Sequence, residues 1–414
     1  MAAIISEKFR IFNAKQFLES LGEGANDADT DRTRMYFFVG RSSRWDAYLE
    51  IFNVSGTFQV GETVSGGGWS GVIAEVHSNS ILLNTILPTP TTTPAFGTTV
   101  TGGTSGATAK SGVYRYGTED APPAPLDNAS EKQSIFDEMI AAKRITSAFA
   151  RLVAPRYNWN LSLNPKFDMY RPSYAPTPGG GGAIGKQTAL GATSLSASKF
   201  YVMNSRYEVF KCLYNGEYNS NTGANATYEP TSQPVAGQGT FANGIFTEPA
   251  GTAGYIWKHM YTLTTGDVLA FLSSDFMPIA AAGEASRVAV EAAAVDGSID
   301  VAVVKDAGTA LPLSATLYSP VYGDGSGAIV KLTTDGSGVV TAAEMEAVGS
   351  GYTYGNVILE TGKVFTDAAL TAAAGAFAGT AAIEAVISPK GGHGSDAENE
   401  LFAKRVMTSV RLTY

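Results

Sequence analysis

One small-residue signature occurs twice in this chain, as Thr63-Val-Ser-Gly-Gly-Gly-Trp-Ser-Gly71 and as Thr99-Val-Thr-Gly-Gly-Thr-Ser-Gly106. The run between them, Ser80-Ile-Leu-Leu-Asn-Thr-Ile-Leu87, has the apolar and β-branched content of a strand. Glycine tolerates positive φ, so both copies read as hairpin turns in a duplicated strand-turn-strand unit. The functional rival is a phosphate-cradling loop. It is disfavoured because no Lys-Ser/Thr pair follows the glycines and no helix opens after them.

The repeat defines an inserted β module from about Tyr48 to Val113. Its strand candidates are Tyr48–Val54, Gly71–His77, Ser80–Leu87 and Ala107–Val113, with positive-φ turns at Gly66-Gly67-Gly68 and Gly102-Gly103. A second stretch rich in Gly, Ala and Val runs from Ala280 to Ile387. There Val288–Val295 and Ser298–Val304 read as strands around Asp296-Gly297, and Ala328–Leu332 and Gly338–Thr341 flank the turn at Thr334-Asp-Gly-Ser337. The chain therefore divides into a host body with two insertions. Residues 1–47 open the body, 48–118 form the first module, 119–280 the central body, 281–388 a second β-rich domain, and 389–414 a returning C-terminal strand. The expected fold is mainly β (α+β) and multi-domain. It consists of small antiparallel sandwich-like domains with a few short helices and inserted β modules.

In the host body, Asn13 with Gln16 forms a capping pattern and Phe12 with Phe17 a hydrophobic staple, predicting a helix from Ala14 to Leu21 that stops at Gly22. Met35–Val39 reads as a strand. A longer helix is expected after Asn128, with Ile135, Met139, Ala142, Ile145, Phe149 and Leu152 on one face and Pro155 as the stop. Phe200–Met203 and Tyr207–Tyr214 suit a hairpin, Gly254–Leu263 a strand, Asp267–Leu272 a helical turn, and Val406–Tyr414 a final strand.

Composition narrows the function. Charged residues are 16% of the 414, against roughly 25% in ordinary soluble domains. Such a surface relies on Ser, Thr, Asn and Gly, which suits either partner-covered surfaces or neutral loops. The net charge of −9 gives no electrostatic footprint for nucleic acid. No run approaches the ~20 apolar residues of a membrane span, and the N-terminal apolar run is too short for a signal peptide, so a cytoplasmic site of synthesis is expected. Cys212 is the single cysteine and reads as a small buried hydrophobe.

His393, near Asp396, Glu398 and Glu400, is the best local metal-like cluster. One histidine is a poor basis for zinc, and a structural loop is preferred. Asp324-Gly325 and Asp335-Gly336 lack the alternating ligands of a calcium loop and read as turns. No Gly-x-Ser-x-Gly elbow is present. A cleft pair of carboxylates, the requirement for a glycosidase, stays open because acidic residues are spread along the chain. No catalytic, cofactor or metal residues are assigned.

Several host segments, taken in order, resemble the baseplate wedge protein known as gene product eight of contractile-tailed bacteriophages. They are Glu7-Lys-Phe-Arg10, Phe17-Leu-Glu-Ser-Leu-Gly22, Phe37-Phe-Val-Gly-Arg-Ser-Ser-Arg-Trp45, Val153-Ala-Pro-Arg-Tyr-Asn-Trp159, Val209-Phe-Lys-Cys-Leu213 and Gly254-Tyr-Ile-Trp-Lys258. Ser388-Pro-Lys-Gly-Gly-His-Gly394 and Val410-Arg-Leu-Thr-Tyr414 look like versions from phages of cyanobacteria. The resemblance covers about half of the chain and leaves both insertions unexplained. It implies a non-enzymatic homodimer in the virion tail baseplate, assembled in the host cytoplasm against other wedge proteins, with no nucleic-acid or membrane partner.

Arg and Trp are enriched at binding hot spots, so Arg41, Arg44 and Trp45 are the first interface candidates, followed by Arg156, Tyr157 and Trp159. Internal packing or a local salt bridge is the alternative for each. A carbohydrate- or receptor-binding tail adhesin is the second functional expectation, and a polysaccharide hydrolase the third.

Overall fold

A computed structural model describes residues 6–22, 35–40, 47–87, 94–115, 129, 136, 139–160, 165–170, 192, 194–216, 225–249, 252 and 254–412. The protein is mainly β, built from antiparallel sheets with a few short helices. Two compact units are present, one formed by residues 36–144 with 412–414 and the other by 1–35 with 145–411.

In the first unit, β1 (Met35–Gly40) pairs with β8 (Met139–Ile145) as a two-stranded ribbon. Between them lie β2 (Ala47–Ser55), β3 (Thr63–Gly66), β4 (Trp69–Val76), β5 (Ser80–Leu87), β6 (Thr99–Gly102) and β7 (Thr108–Arg115). These six close into a barrel in the order β2-β5-β4-β3-β6-β7. Closure leaves no open sheet edge, so this module is a barrel and not a sandwich.

The barrel is internally duplicated. Gly61-Glu-Thr-Val-Ser-Gly-Gly67 and Gly97-Thr-Thr-Val-Thr-Gly-Gly103 occupy equivalent places. In the first copy Thr63 pairs with Val72, Val64 with Gly71 and Ser65 with Ser70. In the second Thr99 pairs with Lys110, Val100 with Ala109 and Thr101 with Thr108. Outside the ladders, Gly61 donates to the Ile73 carbonyl and Gly97 to the Ser111 carbonyl, each at 2.7 Å. The halves meet where β3 pairs with β6 at Ser65↔Thr101 and where β2 pairs with β5 at Leu49↔Ile81. Exchanging β2 with β5, β3 with β6 and β4 with β7 reproduces every pairing of the barrel. Leu49, Ile51, Val64, Ile81, Leu83 and Val100 fill the interior in matching positions, all buried.

The two copies differ at their turns. Gly67 and Gly68, at φ 59° and 87°, form a two-residue turn with both residues left-handed. In the second copy the loop is longer, and Gly102 and Gly103 do not take the positive φ expected of them; Gly106 does, at 68°. Gly102 is required for space instead. A Cβ there would stand 2.7 Å from both oxygens of Glu62. That carboxylate accepts the N–H groups of Gln59, Thr104 and Ser105 at 2.7–3.0 Å and the Ser105 hydroxyl at 2.8 Å.

In the second unit, a three-stranded sheet places β9 (Ala150–Pro155) between β15 (Phe276–Pro278) and β22 (Arg405–Thr408). A five-stranded sheet comprises β10 (Tyr201–Met203), β11 (Glu208–Tyr214), β12 (Thr240–Ala242), β13 (Ile245–Thr247) and β14 (Ile256–Thr262), in the order β10-β11-β14-β13-β12. Aromatic side chains on one face, including Phe210, Trp257, Phe246 and Tyr255, form one core. Val209, Met260 and Tyr261 join a second core with Leu152, Ala154 and Met277.

The later β-rich stretch pairs β16 (Ile299–Thr309) with β21 (Thr380–Ile387). It adds a four-stranded sheet of β17 (Thr316–Gly323), β18 (Ser326–Thr334), β19 (Val340–Ser350) and β20 (Gly355–Val357). These surround their own apolar core, with Ile299, Leu317, Val330, Leu332 and Val364 among its members. Val301, Val303 and Val386 also pack on Leu213 of β11.

Helices α1 (Glu7–Gly22), α2 (Thr265–Phe271), α3 (Ala285–Ala293) and α4 (Ala397–Glu400) complete the unit. Lys15 of α1 pairs with Glu398 at 2.7 Å, and Lys404 with Glu7 at 2.5 Å. Among the described residues no helix is long and apolar enough to cross a membrane.

Four further sequence expectations are corrected. Helix α1 starts at Glu7, where the Ser6 hydroxyl accepts the Phe9 N–H, so Asn13 is interior and Phe12 and Phe17 stay exposed. The helix expected after Asn128 does not extend through Met139–Pro155: β8 and β9 occupy that stretch, separated by a short 3-10 turn at Ser147–Phe149. Pairing of β8 with β1, and of β9 with strands on both sides, overrides the three-and-four spacing. Val288–Val295 is largely helical: its alanines favour α3, and Arg287 pairs with Glu291 one turn on at 2.6 Å. The last strand ends at Thr408, short of the expected Tyr414.

Burial alone would raise the pKa of Glu62. The N–H groups and hydroxyl that converge on it outweigh burial and hold it down to about 2. Its folded pKa lies below the ordinary 4.5, so its stabilisation is present above pH 4.5 and lost as pH falls toward 2. The opening free energy read from hydrogen exchange at β3 and β6 should fall over that window in the wild type. Glu62→Gln should exchange faster at pH 6, by about 2 kcal/mol of opening free energy, with a flatter acid response.

Candidate functional site

The central sheet carries an unusual pair. Lys211 of β11 and Lys258 of β14 are direct cross-strand partners, and both are buried. Like charges opposite one another in a ladder repel, and each is costly away from water. Lys211 is fully buried and meets the Glu400 carboxylate in a close ion pair. Its ammonium also stands 4.6 Å from the centre of the Tyr170 ring. Burial lowers the Lys211 pKa, and Glu400 opposes that shift.

Glu400 is positioned by the loop before α4. The Gly394 N–H donates to both of its oxygens, at 2.8 and 3.1 Å, and the Asp396 N–H to Oε1 at 3.2 Å. The positive φ of Gly391, Gly392 and Gly394 turns this loop back on itself. Desolvation and Glu400 raise the Tyr170 pKa to about 12.

The same loop inserts His393, which is 1% exposed. Its ring meets Tyr170 edge-on at 5.4 Å, and neither ring nitrogen has a hydrogen-bond partner. Burial, then Lys211 and Lys258, hold its pKa well below the ordinary value, so the imidazole is neutral. His393, Lys258 and Asp300 line a cavity of about 310 Å³ with Asn243 and Ser298. Glu398 and Glu400, the carboxylates near His393 in sequence, are committed to Lys15, Arg287 and Lys211. Among the described residues, no group of three His, Cys, Asp or Glu side chains is placed to hold a metal ion. Cys212 is fully buried, and burial raises its thiol well above its ordinary range.

Of the interface candidates, Arg41, Arg44 and Trp45 lie outside the described residues. The other three straddle the two cores of the central body. Arg156 donates to the Ser273 carbonyl at 2.7 Å and to Asn158 at 2.8 Å. Tyr157 packs against Tyr201, with ring centres 5.1 Å apart, and lies under the Lys199 ammonium. Trp159 stacks on Phe167 with planes 10° apart. All three keep part of their surface open.

Two exposed apolar surfaces were missed by the sequence reading. Phe9 and Phe12 of α1 are 52% and 57% exposed, one turn apart. Tyr36, Phe37, Phe38 and Val39 of β1, with Ile140 of β8, are all exposed on the ribbon. The run of consecutive aromatics in β1 was the available signal, since adjacent strand residues cannot all face one core.

No family model, curated protein or solved structure matches the chain.

A neutral buried His393 makes stability acid-sensitive. The unfolded chain takes up its proton near pH 6.5 while the folded protein does not. Stability is therefore flat above that pH and falls below it, by at most about 1.4 kcal/mol per pH unit for one proton. Urea unfolding between pH 6.5 and 5 should show this slope in the wild type and a smaller one in His393→Phe.

Proposed function

We propose that this chain is a structural subunit of a contractile-tail baseplate wedge, present as a homodimer and joined to other wedge proteins in the virion. One observation carries the reading. Five segments of the resemblance, far apart in sequence, fall in one compact unit. Val209–Leu213 and Gly254–Lys258 fall on β11 and β14, which are hydrogen-bonded neighbours. Val153–Pro155 ends β9, whose edge meets β22, and Ser388–Gly394 brings His393 against Tyr170 beside them. Glu7–Arg10 opens α1, and Glu7 pairs with Lys404. A set of short matches that packs into adjoining cores of one compact unit supports a shared scaffold more than the same matches scattered over loops.

The exposed aromatics agree with a protein whose surface is completed by neighbours. Contiguous apolar surface of this kind marks interaction sites. In this proposal the cores stay rigid during sheath contraction while contacts between subunits exchange between two arrangements. The catalytic chemistry of a hydrolase and the ligand pocket of an adhesin are not required.

Native mass measurement should give twice the chain mass of 43.2 kDa, and an imaged virion should show the chain in the baseplate wedge. A monomer located elsewhere on the virion, or specific glycan capture by the purified protein, would count against it. The double change Phe9→Ser with Phe12→Ser should weaken dimer or wedge assembly at least tenfold. Its melting temperature should remain within a few degrees of wild type, because both side chains are already exposed.

A further inference from the structure

Lys211 and Glu400 are more than a stabilising ion pair. A buried pair of charges gains attraction but loses hydration, and replacing it with neutral groups is often favourable. Here the amine and the carboxyl are in direct contact, 0% and 7% exposed, and held by unrelated elements, a central strand and a loop-anchored helix. Proton transfer inside a dry pair yields a neutral amine beside a carboxylic acid, which is the reactive combination for condensation.

We propose that Lys211 and Glu400 join through an intramolecular isopeptide bond. The ammonium first gives one proton to Oε2. The Nζ lone pair then attacks Cδ, and the carbonyl electrons move onto Oε1. The Gly394 and Asp396 N–H groups already point at that oxygen, at 2.8 and 3.2 Å, and stabilise the charge that develops there. As the tetrahedral centre collapses, the Cδ–Oε2 bond breaks and Oε2 departs with a proton from Nζ as water. One amide and one water form from one amine and one acid, with no oxidation and no further reactant. Oε1 keeps both of its N–H donors in the product.

Condensation is favoured by position. Fixed contact between reacting groups is equivalent to concentrations of about 10⁵ M or more, well above that of the competing water. Lys258, the cross-strand partner of Lys211, and His393, on the loop that holds Glu400, line a polar cavity of about 310 Å³, large enough to hold a water. The bond joins residues 189 apart. It would tie the returning C-terminal segment to the central sheet across the whole later β-rich stretch. In a body that bears load, that link prevents the segment from peeling away.

The test is made on the purified full-length chain and does not depend on the baseplate reading. After denaturation, intact mass should fall short of the sequence mass by one water, about 18 Da. Proteolysis should release a branched peptide joining the segments around Lys211 and Glu400. Lys211→Met should appear at its full sequence mass. A wild-type chain at full mass, with Lys211 open to an amine-reactive reagent once unfolded, would overturn the proposal. So would a mass deficit that peptide mapping places at another site.

Discussion

A few buried or half-buried carboxylates, each collecting several N–H and O–H donors, hold the irregular parts of this protein in place. Glu62 fixes the long turn of the barrel. Glu208 accepts from Asn204 at 2.6 Å, from Thr231 at 3.0 Å and from Ser232, so it pins the loop beyond Pro230 to the end of β11. Glu248 takes the N–H groups of Thr227 and Tyr228 at 2.7 and 3.0 Å and the Thr252 hydroxyl at 3.1 Å. Glu400 does the same for the loop carrying His393. Charge-assisted bonds of this kind are stronger than neutral ones and lose more when a partner is removed. A chain poor in charge thus spends several of its acids on its own backbone, and its loops of Gly, Thr and Asn acquire fixed shapes without regular structure.

The duplicated barrel shows a second way to order glycine-rich sequence. Each half contributes strands that cannot close alone. Together they form a sheet with no open edge, and the valines and leucines of the two halves meet around a pseudo-twofold relation. The two turns differ, and both lie outside the shared ladder. One is a two-residue glycine turn, while the other is longer and is held by Glu62.

Much of this architecture was legible in the sequence where local signals were strong. The first copy of the glycine signature, with its turn at Gly67-Gly68, the hairpin across Asn204–Arg206 and the Asp-Gly turn at Asp335-Gly336 all encode backbone conformation directly. The errors arose where tertiary partners decide. The spacing from Met139 to Leu152 fits a helix as well as it fits strands, and only the flanking strands β15 and β22 settle β9. Val288 to Val295 alternates like a strand, yet Arg287 finds partners in Glu291 and Glu398 only when that stretch coils. The buried cluster had no local signature. Lys211 and Lys258 lie on different strands, and Glu400 arrives from the far side of a β-rich stretch. The apolar runs around Lys211 and Lys258 mark buried strands, but no local feature names the partner of either lysine. Arg156, Tyr157 and Trp159 were visible as residue types, but their ties to Ser273, Tyr201 and Phe167 depend on long-range folding.

The clasp between α1 and the segment around α4 and β22 bears on the order of events during synthesis. Lys15 and Glu7 have their partners at Glu398 and Lys404, and Ala14 shares a core with Leu401 and Ala403. A ribosome delivers residues near 400 long after α1 has emerged. The helix therefore has no partner along that side until this segment has been made. Its docking is a late signal that the polypeptide has been read through to that point, so a truncated product would lack the finished surface around α1.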